Sequence, residues 1–400
     1  MKRHCMIVHA YYPLGEVRVQ REAEALIDAG YQVDVICLRL PDEPAVDSYH
    51  GVNIYRMPVR RHKDQGAFVQ LLEYLAFLAL AFSKLTILHL RERYNVVQLH
   101  NPPDFLAFAA LVPKLTGASV ILDIHDLMPE FFRARFGVGR ESILARLVYW
   151  QERLACRFAD HVITVTDHWR RALIQRGVAA EKCSVLMNLA DSRIFRKPAT
   201  TQPGRRDEHR FQLIYHGAIP QRYGLDLVLR AIAQVRAEIP GVSFTVIGWG
   251  DYLIELQRLS QELGLEEHVC FESFVPVEEI PPRIATADLA VVPYRNDVFT
   301  DELLPTKLLE YAALGVPAIA SRTTGISAYF DETMVQFFTP GDVDDLARCI
   351  RTLHRDRARL AALAQNIERF NQRYDWKSQS ADYVRLVGRL GRSNSREKNK

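Results

Sequence analysis

Cysteine is scarce and scattered. The six residues, Cys5, Cys37, Cys156, Cys183, Cys270 and Cys349, form no Cys-x-x-Cys pair and no zinc-type spacing. That argues against a metal module or a disulfide framework and for a reducing cytosol. One-sided charge is lacking too: 51 Lys and Arg stand against 48 Asp and Glu, a net +3, too little to make nucleic acid a partner. The N-terminus, MKRHCMIVHAYYP, has an apolar run too short for a signal peptide and reads as a first β-strand. No GxxxxGK[ST] loop occurs, GWGDYL (Gly248, Gly250) does not complete GxGxxG, and no DxD-type metal site is apparent. P-loop, dinucleotide and metal-centred chemistry each lose their main signature.

What is present is an ordinary globular composition, 48% hydrophobic and 25% charged, in 400 residues. That length exceeds one core and predicts two domains. One long apolar run, FVQLLEYLAFLALAFSKLTILHL at 68–90, could span a bilayer by length. Glu73, Lys84 and His89 interrupt it, so a buried or surface-docked helix is preferred over a membrane-interface helix, and both over a true span.

Short apolar runs alternate with helical patterns, the signature of doubly wound α/β domains. Strand candidates in the first half are HCMIVHA, YQVDVICL, VVQLH, SVILDIH and HVITVT; VRVQREAEALIDAG between the first two predicts a helix stopped at Gly30. RKPATTQPGRRDEHR around 196–210 has almost nothing to bury and reads as a linker. The pattern restarts with FQLIYHG, GVSFTVIGWG, HVCFESFV, LAVVPY and VPAIAS. The expected domains are 1–195, 211–375 after the 196–210 linker, a helix at 376–390 packing back on the first domain, and a disordered tail at 391–400. Two Rossmann-like halves facing each other across a cleft would gather ligands at the carboxyl ends of their strands.

The strand-to-loop junctions supply the candidates. Gly15 precedes the first helix and lets backbone approach an anion, although a simple turn needs the same glycine. ILDIHDLMPEFF brings His125, Asp126 and Glu130 off a strand end; His125 reads as a ligand contact in preference to a locally satisfied side chain, whereas Asp126, as the cap of a short helix, and Glu130 read as structural. His100 and Asn101 face the same edge, in a segment that is also simply a turn. These four, His100, Asn101, Asp126 and Glu130, are the acceptor-side candidates. In the second half, IYHGAIPQRYGLDLVLRAI sets Gly217, Arg222 and Gly224 between a strand and a helix, a pattern suited to a diphosphate. Gly248 shapes a turn beside the ligand.

DELLPTKLLEYAALGVP, 301–317, carries two acids eight positions apart. Pro305 suits the first helical position and Gly315 with Pro317 supplies the stop, predicting a helix over about Pro305–Leu314 with Glu302 in the loop before it. Glu310 lies among apolar neighbours, where a carboxylate wants a partner such as a ribose diol; the bland alternative is a dipole partner and a solvent-face acid. Lys307 and the helix amides make the mouth attractive to an anion.

Together these motifs resemble the family 4 glycosyltransferases of GT-B fold, over nearly the whole chain from Met6 to about Leu390. The E-x7-E pair of that family corresponds to Glu302 and Glu310. The resemblance implies that Glu310 holds the nucleotide ribose, and that Glu302, with Leu303 and Leu304, contacts the donor near the reacting face. HDLMPE resembles the segment whose histidine, here His125, reaches the donor sugar. HGAIPQRYGLD resembles the diphosphate loop, and VCFESFV, with Val275, lies near the base. ADHVITVTDHWRRAL with Asn188 resembles the segment leading out of the first domain. The chain departs from the pattern at Ala218, where arginine or serine is usual, at Tyr223, where lysine is usual, and at Gly15-Glu16, where a glycine pair is common. Arg222 and Lys307 must then carry the phosphate charge, and with Glu302 and His125 they form the catalytic set. The implied activity is retaining transfer from a UDP- or GDP-sugar, with no metal and no cofactor besides that co-substrate, to a glycan or lipid-linked acceptor in polysaccharide synthesis.

Residues 131–157 carry six arginines against two glutamates, interleaved with Phe, Leu and Trp. They read either as a solvated amphipathic helix or as a surface for anionic lipid, which would bring a cytoplasmic protein to the inner face of the membrane. A sugar-nucleotide epimerase of the same fold, and a non-catalytic sugar-nucleotide-binding partner of another transferase, are the rival expectations.

Overall fold

Runs of Val, Ile and Leu with both faces covered make parallel strands, and here they make two sheets. The structure is a computed structural model that describes residues 2–61, 66–197, 210–273 and 275–397. The chain separates into two compact units. One runs to Asn188 and takes in the C-terminal helix from Lys377; the other runs from Leu189 to Trp376. Residues 198–209 of the expected linker lie outside the described residues.

The first unit holds eight strands: β1 (Lys2–Tyr11), β2 (Tyr31–Leu38), β3 (Val46–Tyr49), β4 (Val52–Met57), β5 (Val96–His100), β6 (Ser119–Ile124), β7 (His161–Thr164) and β8 (Cys183–Val185). Their order is β3-β4-β2-β1-β5-β6-β7-β8, parallel throughout except for the β3–β4 hairpin at one edge. All five strands expected in this half are present. β3, β4 and β8 were not anticipated. β3 is wholly exposed, so VDSY carries no apolar signal, and the hairpin turns on His50-Gly51, both at positive φ, in place of the more familiar Asn-Gly. The first helix, Val17–Asp28, stops before Gly30, whose φ of +80° and amide bond to Ile27 O close the helix end as the sequence predicts.

The register of β5 on β6 matters for the chemistry. His100 lies opposite Asp123, and the side chains of paired residues share one side of a sheet.

The second unit has β9 (Phe211–His216), β10 (Val242–Ile247), β11 (Val269–Glu272), β12 (Leu289–Val292), β13 (Ala318–Ser321) and β14 (Gln336–Phe338), all parallel, in the order β11-β10-β9-β12-β13-β14. Each unit is a Rossmann-like α/β domain. In the second, Phe211, Leu213, Tyr215, Phe244, Val246, Leu289, Val291, Ile319 and Phe338 pack under helical Val228, Ile232, Leu346 and Ile350. Of these strands only the short edge strand β14 escaped the sequence.

Two boundaries differ from expectation. The helix after Glu302 spans Thr306–Leu314, with Pro305 as its extended N-cap (φ −66°, ψ 125°), and Glu302 closes a 3-10 turn, Thr300–Glu302, in place of an open loop. The C-terminal helix runs Trp376–Glu397, through seven of the ten residues expected to be a disordered tail, since GRSNSRE holds no proline to stop it; 398–400 lie outside the described residues.

Candidate active site

The helix Thr306–Leu314 is apolar along most of its length, and its buried side includes Lys307. A buried ammonium is costly unless paired. Lys307 is 6% exposed, donates to Tyr294 Oη at 2.8 Å, and its Nζ sits 4.9, 4.7 and 5.0 Å from the ring centres of Tyr215, Tyr223 and Tyr294. Tyr223 and Tyr294 stack at 4.2 Å. The three rings replace water around the cation. Burial pulls the lysine pKa down to about 8, against the opposing pull of Glu310. The ammonium also borders Gly217: a Cβ there would lie 3.6 Å from Lys307 Cε and 3.9 Å from Nζ. Tyr223 stands where the sequence comparison expects a basic residue. It supplies a wall for Lys307 instead of a charge.

One turn on, Glu310 is half-buried, and its Oε2 meets His216 Nε2 at 2.5 Å. His216 Nδ1 meets Tyr311 Oη at 3.0 Å, and that hydroxyl accepts the His216 backbone N–H at 3.3 Å. With its proton donated to Nδ1, the tyrosine leaves the histidine Nε2–H for the carboxylate. Glu310 is thus fixed at the end of β9, next to Gly217. The loops here close backbone on backbone: a Cβ on Gly248 (φ +146°) would collide with the Gly217 carbonyl, and one on Gly325 with the carbonyls of Glu302 and Leu303. A Cβ on Gly250 would meet the Ile219 carbonyl in the same way, which accounts for the glycines of GWG without any phosphate motif.

Asp301 binds Thr324 through both oxygens, to the amide at 3.1 Å and the hydroxyl at 2.8 Å. Leu303 and Leu304 are half-buried in the extended stretch before the helix. Arg222 is half-buried in a 3-10 turn, 5.8 Å over the Phe299 ring, and its carbonyl receives the Arg295 amide. Arg295 in turn pairs with Asp226 at 2.5 Å. Val275 follows β11, half-buried. Lys307, Gly217, Gly248 and Glu310 are therefore drawn together by direct contacts, whereas Arg222 is placed by its backbone and by Phe299.

In the first unit the organising residue is Asp123, wholly buried on β6. Arg18, in the first turn of the helix Val17–Asp28, grips both its oxygens, Nε to Oδ2 at 2.9 Å and Nη2 to Oδ1 at 2.8 Å, and binds the Leu186 carbonyl and the Asn188 side chain with Nη1. Burial alone would raise the Asp123 pKa, but the Arg18 guanidinium, with the hydrogen bond from His100, holds it well below the usual range. His125, 16% exposed, turns Nε2 toward Asp123 Oδ2 (3.3 Å) and His100 Nδ1 (3.1 Å). Asn101 accepts the His125 amide at 2.6 Å and donates to Asp104 and to the Asp126 carbonyl, pinning the turn that carries His125. Burial raises the Asp126 carboxyl. Glu130 is held by Tyr149 at 2.9 Å and Arg176 at 2.7 Å. Gly15, at φ +82°, is exposed with open space around it.

His100, Asp123 and His125 have ligand atoms within 4.8 Å of one another, a spacing a metal could use. The carboxylate is already committed to the Arg18 guanidinium, whose positive charge would face any cation, so the donor set fits a hydrogen-bond cluster better than a metal site. A cavity of about 760 Å³ lies elsewhere in this unit, against the C-terminal helix, lined by Lys2, Tyr31, Ser184, Tyr383 and Arg389 among others, and no expected site residue lines it.

Two family models match the chain, one described as a glycosyl transferase 4-like domain over residues 15–188 and one as glycosyl transferases group 1 over residues 197–370. The chain belongs to the family 4-type, group 1 glycosyltransferases. It is 31% identical, over 183 residues, to the GDP-mannose-dependent alpha-(1-6)-phosphatidylinositol monomannoside mannosyltransferase of Mycolicibacterium smegmatis, which is 44% of this chain and 47% of that protein. The chain thus spans about half the length of the first curated relatives it matches. Among solved structures, sucrose-phosphate synthase from Thermosynechococcus elongatus superposes with a TM-score of 0.79 at 19% identity, covering 98% of this chain and 100% of that one. Anabaena HepE in complex with UDP and glucose gives 0.72 at 21% identity, covering 97% and 100%. At such identities the likeness carries the GT-B fold alone.

For a glycosyltransferase, the residues the sequence reading missed are those that hold the expected ones. His216 ends the strand in FQLIYHG, so its place at a carboxyl strand end was a usable signal. Asp123 sits inside ILDIH, and an acid inside an apolar strand demands a partner. Arg18 and the tyrosine box carry no local signal at all.

Proposed function

We propose that the protein moves a sugar from a UDP- or GDP-sugar to a glycan or lipid-linked acceptor, with retention of anomeric configuration and without a metal. The observation that carries this reading is the buried Lys307 ammonium at Gly217, one helical turn from a Glu310 carboxylate clamped by His216. A fixed cation beside a glycine-lined backbone suits a diphosphate, and a fixed carboxylate suits a ribose diol. Lys307, with Arg222, offsets the charge that grows on the departing phosphate, in a site where the cation pays little reorganisation. In the step itself the bond from the anomeric carbon to the phosphate oxygen breaks, and the acceptor oxygen bonds to that carbon on the same face. The acceptor's proton passes to the departing phosphate oxygen. His125 donates a hydrogen bond to the transferred sugar, and Glu302 lies near the reacting face. The relative from Mycolicibacterium smegmatis is named for GDP-mannose and a phosphatidylinositol acceptor, and the HepE structure holds UDP and glucose, which supports this class of donor and acceptor.

The test is a panel of UDP-, GDP- and ADP-sugars with a glycan acceptor in the presence of EDTA. Free nucleotide should rise with acceptor, and proton NMR should show the donor's anomer preserved in the product. An inverted anomer would sink the mechanism, an epimerised donor would make the protein an epimerase, and a donor bound but intact would make it a binding partner.

Two surfaces of the first unit bear on the acceptor. The helix Ala67–Glu92 is long and apolar enough by length and composition to cross a membrane, but Tyr74, Phe77, Ala81, Leu85 and Leu88 are buried on the domain. Glu73 and His89, expected to interrupt the apolar run, point inward, 9% and 2% exposed, and Lys84 lies over the Tyr55 ring. The outer face, with Phe68, Leu71, Leu72, Leu75, Leu80, Ile87 and Leu90, is therefore apolar for roughly 33 Å apart from Ser83. The helix Ile143–Phe158 exposes Ile143, Leu144, Leu147 and Trp150 beside Arg146, Arg153 and Arg157. Both helices pack on the 3-10 segment Asp104–Ala110, and right-handed crossovers put them on one side of the sheet. This is the pattern of a face lying in an anionic bilayer surface and serving a cytoplasmic enzyme there. The protein should co-sediment with phosphatidylglycerol vesicles at low salt, and Leu72→Glu with Leu75→Glu should lower the bound fraction about tenfold or more while leaving transfer to a soluble acceptor unchanged. Indifference of the parent protein to such vesicles removes the membrane from the proposal.

A further inference from the structure

The cluster beside Asp123 has a proton-placement problem. His100 Nδ1 lies 3.1 Å from both Asp123 Oδ2 and His125 Nε2, and His125 Nε2 is 3.3 Å from the same oxygen. Three atoms at mutual hydrogen-bond distance cannot all donate or all accept. His100 is wholly buried, and burial, outweighing the pull of Asp123, drops its pKa to about 4, so the ring carries one proton. Its Nε2 is buried without a partner. A proton there would be a stranded donor with Nδ1 left bare toward a carboxylate, so the proton sits on Nδ1. Asp123 Oδ2 then accepts from Arg18 Nε at 2.9 Å and from His100, and its two lone pairs are filled. His125 Nε2, third and most distant at that oxygen, is left facing the His100 N–H as an acceptor.

We propose that His100, Asp123 and Arg18 are positioning residues that hold neutral His125 in the Nδ1–H form, so that its more exposed edge presents a hydrogen-bond donor. The inference deepens, and for its catalytic meaning rests on, the reading of His125 as a contact to the transferred sugar. The other charged groups near the ring are Glu16, from the turn before the helix Val17–Asp28, and Asp126, from the turn after β6; Arg61 faces Glu16. Both acids are raised by burial. The tautomer is to be read at about pH 8, above the ordinary histidine pKa of about 6.5.

The experiment is long-range proton–nitrogen correlation on the full chain labelled at histidine, with His125 assigned by loss of its signals in His125→Gln. The wild type should show Nδ1–H. His100→Asn, whose amide N–H takes the place of Nδ1–H, should keep that form. His100→Leu frees a lone pair on Asp123 Oδ2 and should move the proton to Nε2. An Nε2–H ring in the wild type, or an unchanged ring in a folded His100→Leu, overturns the proposal; should His100→Leu not fold, the wild-type spectrum decides alone. In parallel, His100→Leu should lower kcat about tenfold or more, with His100→Asn restoring most of it, as for loss of a positioning partner. His125→Ala transferring at the wild-type rate would overturn the sugar-contact reading, an outcome the spectrum does not depend on.

Discussion

Lys307→Met is expected to lower transfer about 10²–10³-fold, the usual consequence of removing a preorganised group aimed at developing charge. Methionine keeps the unbranched stem that runs between Tyr215, Tyr223 and Tyr294, so packing changes little while the ammonium is lost. Stability should not suffer. Burial disfavours the charged lysine in the folded state, so deleting the charge relieves a cost, and an unchanged or higher Tm separates a functional loss from a folding defect. Lys307→Arg should not rescue, because a planar guanidinium does not fit a box shaped for a compact ammonium.

The same residue sets a pH dependence. The free site's lysine titrates at about 8. Below that value the cation is present; as pH rises through it the cation is lost, and a bound diphosphate must pull a proton back. Nucleoside diphosphate affinity should therefore hold from pH 7 to 8 and then weaken by up to about tenfold per pH unit, until the raised pKa of the complex is reached. Titration calorimetry at pH 7 and 9 checks this. Equal affinities at the two values, or the same slope in Lys307→Met, would remove Lys307 from the phosphate.

How much of this was visible beforehand depended on where the partners come from. Apolar runs announced the central strands, since a strand covered on both faces has little room for other residue types. VDSY, CSV and QFF went unseen because an exposed or three-residue edge strand needs no such run. At the sites, position along the chain singled out His125 and Lys307 as candidates, at a strand end and a helix start, and apolar neighbours singled out Glu310. What holds them was not local: Arg18 reaches Asp123 across 105 positions and His216 reaches Glu310 across 94. No periodicity reports such a pair. The inward turn of Glu73 and His89 was hidden for a related reason. The sequence shows that polar residues interrupt an apolar helix, but which face they occupy is decided by the domain it packs against. The departure at Tyr223 shows the opposite risk, where comparison with a motif finds a missing charge and the folded chain finds a ring that encloses another one.

Glu310→Ala is expected to weaken nucleotide binding by about 1.5–3 kcal/mol, the worth of hydrogen bonds to a charged group, with kcat of the saturated enzyme much less affected. The structural ground is rigidity. His216 Nε2–H fixes Oε2 and Tyr311 fixes His216, so the carboxylate meets a ribose diol without first being ordered. His216→Phe, which leaves Glu310 in place but unheld, should show a smaller loss of the same kind, in KM and not kcat; no loss at all would mean that the clamp is packing alone. Glu302→Ala should divide the other way, with turnover falling and nucleotide affinity retained, because Glu302 precedes the helix and belongs to the reacting face in the proposed mechanism. Asp301 is the control one residue away. Its carboxylate is bound to Thr324, so Asp301→Ala should loosen that turn and cost stability before it costs chemistry. Should Asp301→Ala abolish transfer in a folded protein while Glu302→Ala does not, the acid of the reacting face is Asp301, and the spacing to Glu310 is nine residues instead of eight.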